Sequence, residues 1–368
     1  MITIKRILCI LSNMNTGGAE TFLMKIYRAL DKDKYQMDFC LSIKEKSYYE
    51  DEIISLGGRI FHITPKTDSY IRFKEDLQKV ISENQYKYVL RITANALGLM
   101  DLKIAKKSGA ETCIARSSNS NDDGSIKSKL AHKVGQQLFL KYVDKKIAPS
   151  DLAAIYTFGN KAYKNGEVAI LRNALDLGYY QYSESARRSI RKEFGIPSDS
   201  LVVGNIGRFM VQKNHQKIIE IFQEIIKIKP NSYLVLVGNG ELELEMREKV
   251  EHLSLNKNVI FAGIRSDIPA VLSSMDVLLM PSLYEGMPNA VIEAQANGLK
   301  CVISDSITKE ADITGLVEYI SLQKPADYWA KQILENKQPH QDTTEHFIKA
   351  GYDIQSATEK FVKIIGLE

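Results

Sequence analysis

The chain has 368 residues, of which 44% are hydrophobic and 26% charged, with a formal net charge of +4. The length is too great for one ordinary hydrophobic core and suits two domains. The composition excludes a disordered chain, and no run of residues is long and apolar enough to read as a membrane-spanning helix.

At the start of the chain the basic pair Lys5-Arg6 precedes a short apolar run that stops at Ser12-Asn13 with no small-residue cleavage site. This segment reads as a first strand rather than a signal peptide. Short β-branched runs then alternate with longer amphipathic stretches, the pattern of repeated βα units and a parallel sheet. In the first half strands are predicted over 4–12, 36–43, 59–63, 87–93, 112–117 and 146–149, with helices over 19–30, 48–56 and 71–83 between them. After a join near 171–176 and a helix over 185–194, strands are predicted over 201–207, 233–238, 258–262, 276–281, 300–304 and 317–321. The helices of that half include 215–228, 241–253 and 289–297. The fold class is therefore α/β, with two Rossmann-like, doubly wound parallel-sheet domains over 1–178 and 179–351 facing across a cleft. A terminal helix within about 352–368 alternates apolar and charged positions at helical spacing and is expected to pack back on the first domain. Such sheets bind ligands at the carboxyl ends of their strands, which makes the cleft the expected active site.

Cys9, Cys40, Cys113 and Cys301 are scattered, with no C-x-x-C pair. They read as small hydrophobes in a reducing, cytoplasmic protein without a structural metal. Charge is unevenly spread: residues 1–178 hold 28 Lys and Arg against 20 Asp and Glu, net +8, leaving 21 against 25, net −4, for the rest. The first half is the better candidate for an anionic partner such as a membrane surface or a lipid-linked phosphate, the plainer alternative being a solvated basic face. Residues 126–146 carry six lysines against the single acid Asp144, with Ile126, Leu130, Val134 and Leu138 at four-residue spacing. A basic amphipathic helix of this kind suits the face of an anionic leaflet. His132, inside it, reads as a surface residue. Nothing in these patterns points to nucleic acid.

Three motifs carry chemistry. After the first strand, Gly17-Gly18 opens a helix and exposes backbone N–H groups suited to a phosphate or a sugar oxygen, although a plain strand-to-helix turn looks the same. It is not the G-x-G-x-x-G pattern of dinucleotide enzymes. In the second half, Gly207-Arg208 and Lys213-Asn214-His215 flank a short loop at a strand's carboxyl end, where Arg208 and Lys213 are placed to neutralise the two phosphates of a nucleotide diphosphate. Third, the strand 276–281 leads into Glu285-Gly286-Met287-Pro288-Asn289-Ala290, and the following helix carries Glu293. The turn suits an anion, and Glu285 and Glu293 are acceptors suited to sugar hydroxyls, which together describe a nucleotide sugar. Asp31-Lys32-Asp33 reads as a solvated turn rather than a metal motif, and no catalytic metal or other cofactor is expected.

In order and separation these motifs resemble glycosyltransferase family 4, of the GT-B fold, over nearly the whole chain. Gly17-Gly18-Ala19-Glu20, Glu285-Gly286-Met287-Pro288-Asn289 and Ser304-Asp305-Ser306-Ile307-Thr308-Lys309-Glu310 look like its bacterial exopolysaccharide and capsule branch. The resemblance implies that Arg208 and Lys213 bind the donor diphosphate and that Glu293 holds the ribose hydroxyls. Glu285 would lie beside the donor sugar, with the backbone of Met287, Pro288, Asn289 and Ala290 touching sugar and phosphate. The main chain of Ile264, after Gly263, would read the uracil edge, and Gly17-Gly18 would approach the sugar phosphate. Many relatives carry a His after the strand matching 112–117; here Ser118 stands in that place, so contacts from this side fall to Ser118, Asn119 or Arg116. The implied activity is retaining transfer of a hexose or N-acetylhexosamine from a UDP-sugar to a saccharide acceptor, lipid-linked, at the cytoplasmic face of the membrane. Retention is compatible with front-face attack or with a double displacement through Glu285. A UDP-sugar 2-epimerase and a non-transferring UDP-sugar-binding module share the fold and are the alternatives.

Overall fold

The structure is a computed structural model and describes residues 4–15, 17–118, 126–335 and 338–368, with the backbone alone for 126–128. It divides into two units, Met1–Leu175 with Gly351–Glu368, and Asp176–Ala350.

The first unit is built on a seven-stranded parallel sheet of order β3-β2-β1-β4-β5-β6-β7. The strands are β1 (Lys5–Leu11), β2 (Tyr35–Leu41), β3 (Ile60–His62), β4 (Tyr88–Thr93), β5 (Thr112–Ser117), β6 (Lys145–Ala148) and β7 (Val168–Ile170). Helices cover both faces, so central strands are apolar on both sides: Ile7, Leu8, Cys9 and Ile10 of β1 are all at most 1% exposed. The helix Gly18–Ala29 buries Phe22, Leu23, Met24, Ile26 and Tyr27 against one face. The helix Ile354–Ile365 adds Ile354, Ala357, Phe361, Val362 and Ile365 to the same core. Its start is capped by the Asp353 carboxylate, which accepts from the Ser356 N–H, and it ends at Gly366 in the left-handed region (φ 76°). Leu175 fastens this terminal segment by donating to the Tyr352 carbonyl and accepting from Ile354 N–H.

Two stretches differ from the sequence expectation. β7 has only three residues at the sheet's edge, too few for periodicity to show. The helix expected over 126–146 ends at Phe139 and is followed by one 3-10 turn, Leu140–Tyr142. Asp144 stops it: its carboxylate accepts from the Cys113 N–H at 2.7 Å and pairs with Lys106 at 2.7 Å, which pins the entry to β6. His132 is a correction too. It is 7% exposed, stacks on Tyr156 with centroids 4.2 Å apart, and its Nδ1 accepts from the Ala96 N–H.

The second unit has a six-stranded parallel sheet of order β10-β9-β8-β11-β12-β13. Its strands are β8 (Leu201–Ile206), β9 (Ser232–Val237), β10 (Val259–Gly263), β11 (Val277–Met280), β12 (Cys301–Ser304) and β13 (Val317–Ile320). At the amino end of β11, the buried Asp276 carboxylate takes the Val202 N–H and the guanidiniums of Arg187 and Arg191. This polar knot fastens the end of the sheet opposite the functional loops. In each unit the strand order reverses once, between β1 and β4 in the first and between β8 and β11 in the second. Open α/β sheets bind ligands at such a reversal, outside the carboxyl ends of the strands.

Candidate active site

At the carboxyl end of β8 the chain turns through Gly207-Arg208-Phe209 and is laced to the loop after β9. Gly207 N–H donates to the Val237 carbonyl and Phe209 N–H to the Asn239 carbonyl, both at 2.9 Å. The approach requires glycine at 238, where φ is +134° and a Cβ would stand 2.2 Å from the Gly207 carbonyl oxygen. A single 3-10 turn, Val211–Lys213, follows, and then Asn214 in the left-handed conformation (φ 55°, ψ 48°) that asparagine tolerates better than most residues. The Asn214 side-chain amide donates to the Pro281 carbonyl at 3.0 Å, which stitches the exit of β8 to the exit of β11. The helix His215–Ile228 begins from this point.

That stitching brings together groups far apart in sequence. Lys213 Nζ lies 2.6 Å from Glu285 Oε1, with the two side chains only 17% and 7% exposed. Gln212 reinforces the contact: its side-chain amide donates to the Tyr284 carbonyl at 2.9 Å and to Glu285 Oε2 at 3.4 Å, and its backbone carbonyl accepts from Leu283 N–H. Arg208 is exposed and, among the described residues, forms no ion pair. One cation is thus neutralised in place while the other presents its charge to solvent.

Beyond Glu285 the turn continues through Met287 and the buried Pro288, which is the N-cap residue, into the helix Asn289–Ala296. Ala290 lies in that turn, and Glu293, half-buried, follows Asn289 by four residues on the same helix face. Gly263 ends β10 with φ +65°, and Ile264 beyond it is 70% exposed. His215, at the start of its helix, is 2% exposed and stacks on Phe209 with centroids 4.1 Å apart. Neither ring nitrogen has a partner among the described residues, and burial, then the Lys213 charge, pulls its pKa down to about 4.

In the first unit, Gly17 precedes the helix Gly18–Ala29 in an extended conformation, and the Glu20 carboxylate lies against it. Ser118 is exposed just past β5, and its N–H donates to the Thr93 carbonyl at 3.0 Å. Arg116 is 1% exposed, with its guanidinium stacked 3.5 Å over the Phe22 ring and donating to Asn173 Oδ1 at 2.6 Å. Desolvation draws its pKa down to about 9, and its side chain points into the interior. Asn119 lies outside the described residues. Among the described residues no three His, Cys, Asp or Glu side chains are grouped to hold a metal ion.

Gln212 was not legible as a site residue. It lies within the Arg208–Lys213 stretch, but nothing in the sequence signals that its amide reaches a carboxylate 73 residues later.

The sequence model of the family described as "Glycosyl transferases group 1" matches residues 186–352. The chain is 33% identical over 360 residues, 95% of its own length and 94% of the other's, to the putative glycosyltransferase EpsF of Bacillus subtilis (strain 168). Over 142 residues, 38% of this chain and 37% of the other, it is 34% identical to the UDP-Gal:alpha-D-GlcNAc-diphosphoundecaprenol alpha-1,3-galactosyltransferase of Escherichia coli. Among solved structures it resembles Anabaena Alr3699/HepE in complex with UDP and glucose, with a TM-score of 0.69 and 18% identity over 99% of this chain and 97% of that one. With two Rossmann-like parallel sheets and a relative matched along nearly its full length, this chain is a GT-B enzyme that belongs to the group 1 glycosyltransferases.

Proposed function

We propose that this enzyme transfers a hexose or N-acetylhexosamine, with retention of configuration, from a UDP-sugar to a lipid-linked saccharide acceptor in exopolysaccharide or capsule synthesis. The observation that carries this reading is the pairing of Lys213 with Glu285 at the β8/β11 reversal, with the exposed Arg208 on the same loop. The donor diphosphate binds Arg208 and Lys213, and the N–H groups at the start of the helix Asn289–Ala296 share its charge. Glu293 takes the ribose hydroxyls, the main chain at Ile264 the uracil edge, and the turn Met287–Ala290 the sugar and its phosphate.

As the glycosidic bond to the donor phosphate breaks, the leaving UDP gains negative charge. Arg208 and Lys213, the latter released from Glu285, stabilise that charge, and no metal is required. The departing phosphate oxygen takes the acceptor hydroxyl's proton while the acceptor attacks the same face of the sugar. Glu285, beside the sugar, stabilises positive charge at the anomeric carbon. The Escherichia coli relative, named for a UDP-Gal donor and a diphosphoundecaprenol-linked acceptor, and the UDP and glucose held by HepE support the choice of UDP and of a lipid-linked acceptor.

The acceptor's location supports membrane contact. On the helix Ile126–Phe139, His132, Gly135 and Phe139 face inward, while Leu130, Val134 and Leu138 stay 64%, 39% and 51% exposed beside the exposed Lys129 and Lys133. An apolar stripe flanked by lysines rests on an anionic leaflet at its cytoplasmic face. No helix among the described residues is long and apolar enough to cross a membrane.

A thermal-shift panel of UDP-, GDP- and ADP-sugars, with and without EDTA, tests this reading. Selective stabilisation by one UDP-sugar that survives EDTA is the expected result. Preference for a GDP- or ADP-sugar, or no response to any donor, contradicts it.

A further inference from the structure

The first unit has its own strand-order reversal, and a pocket of about 450 Å³ opens there, within the roughly 300–1,000 Å³ usual for small-ligand sites. Ser12 enters its wall from the end of β1, Asn95 from the end of β4 and Ser118 from the end of β5. The rim is held in place by backbone packing: a Cβ on Gly135 would stand 2.6 Å from the Ala96 carbonyl carbon, so the helix Ile126–Phe139 lies directly on the turn that follows Asn95.

The charges in this wall are unusual. Lys66 Nζ lies 2.6 Å from Asp101 Oδ1, and Arg91 Nε lies 2.9 Å from Asp101 Oδ2. Asp101 is wholly buried, while Lys66 and Arg91, with side chains 31% and 12% exposed, both line the pocket. Two cations therefore share one carboxylate, and in this partly buried wall their charge exceeds that of Asp101 by one. Excess charge in such a place is unfavourable unless a counter-charge meets it. Among the described residues that line the pocket, Glu20 carries the carboxyl group. Its side chain is turned back against Gly17, and burial raises its pKa, so it is a poorer counter-charge than an exposed carboxylate.

We infer that this pocket receives a sugar of the acceptor that bears an anionic substituent, a carboxylate or a phosphate, and that Lys66 and Arg91 bind that substituent. The inference rests on the transferase reading above and adds the acceptor's chemical class to it. The ammonium and the guanidinium supply charge-assisted hydrogen bonds to the anion, while Ser12, Asn95 and Ser118 offer hydroxyl and amide groups to the sugar ring. Asp101 orients both cations without cancelling both charges. A neutral sugar fits the same space but leaves the excess charge unmet, so discrimination between the two follows from electrostatics rather than from shape.

Ligand-observed NMR titrations of the full chain test this, with glucuronate, glucose 1-phosphate and glucose as probes and UDP in excess to fill the donor site. At least one anionic sugar is expected to bind about tenfold more tightly than glucose, the scale of one charge-assisted contact. Preference for glucuronate assigns a carboxylate, and preference for glucose 1-phosphate assigns a phosphate. Lys66→Met should reduce the preference severalfold, and Lys66→Arg should keep it. A second measurement needs no variant: glucuronate or glucose 1-phosphate should protect Lys66 from amine acetylation, read by peptide mass spectrometry, where glucose does not. Equal binding of glucose and both anions, or equal acetylation of Lys66 with all three, overturns the inference. UDP binding is measured separately, so a chain that binds UDP without preferring anionic sugars loses this inference alone. A chain that prefers anionic sugars without binding UDP loses the donor assignment instead.

Discussion

Lys213 Nζ and Glu285 Oε1 stand 2.6 Å apart and join the exits of β8 and β11 at the reversal of the second sheet. On the proposed reading, Glu285 occupies, without a donor, the cation that the diphosphate needs. The two residues therefore give opposite signs on removal. Lys213→Ala should weaken UDP binding and lower turnover at least about tenfold. Glu285→Gln should lower turnover to a similar degree yet bind UDP more tightly than the wild type, because it frees Lys213. Inhibition constants for UDP measured beside kcat separate the two. Weaker UDP binding in Glu285→Gln would contradict the competition.

Glu293, on the helix that starts after the Pro288 turn, is assigned to binding rather than chemistry. Glu293→Ala should raise KM for the donor with a much smaller change in kcat, the mark of an interaction made equally in the ground and transition states. A kcat loss without a KM change would move it into the chemical step.

Gly238 is fixed by the path of the Arg208 loop. Gly238→Ala places a methyl 2.2 Å from the Gly207 carbonyl oxygen at a φ of +134°, and neither backbone can yield without breaking the lacing. The expected loss is about 2 kcal/mol or more of folding stability, with donor affinity falling as the loop shifts. Urea denaturation checks the first and UDP titration the second.

His215 makes stability depend on pH in a defined window. Well above pH 6.5 the ring is neutral in folded and unfolded chains alike, so its full contribution is present. As pH falls toward the folded value of about 4, the unfolded chain takes up a proton that the buried ring refuses. Stability then falls by up to about 1.4 kcal/mol per pH unit for this group and levels off below the folded pKa. His340, also held below its usual value by burial, adds to the slope in the same direction. His215→Phe keeps a ring against Phe209, removes two nitrogens that have no partner among the described residues and should flatten the slope between pH 6.5 and 4.5, read from urea midpoints. An unchanged slope would rule out His215 as its source.

Much of the fold was legible because parallel strands buried on both faces read as continuous apolar runs: the segments at β9 and β11 stand out with no knowledge of their neighbours. The helix His215–Ile228 showed the same bounds in sequence and structure, because a regular apolar stripe runs its whole length. Long-range events were not legible. The stop at Phe139 depends on Asp144 reaching the Cys113 N–H, and the burial of His132 depends on Tyr156 arriving from another helix. At the candidate site, residue types and their places at strand ends could be read from the motifs. The pairing of Lys213 with Glu285, the Gln212 clasp and the inward turn of Arg116 are set by tertiary packing and carry no sequence period.

We propose that the β8/β11 reversal binds the diphosphate of a nucleotide sugar, and Arg208 offers the most direct test of it. It is exposed and has no ion-pair partner among the described residues, so its removal should leave folding untouched. Calorimetric titration of UDP into the wild type and Arg208→Ala should give affinity at least about tenfold weaker in the variant at an unchanged melting temperature. Equal affinity in the two proteins would contradict the assignment of this site.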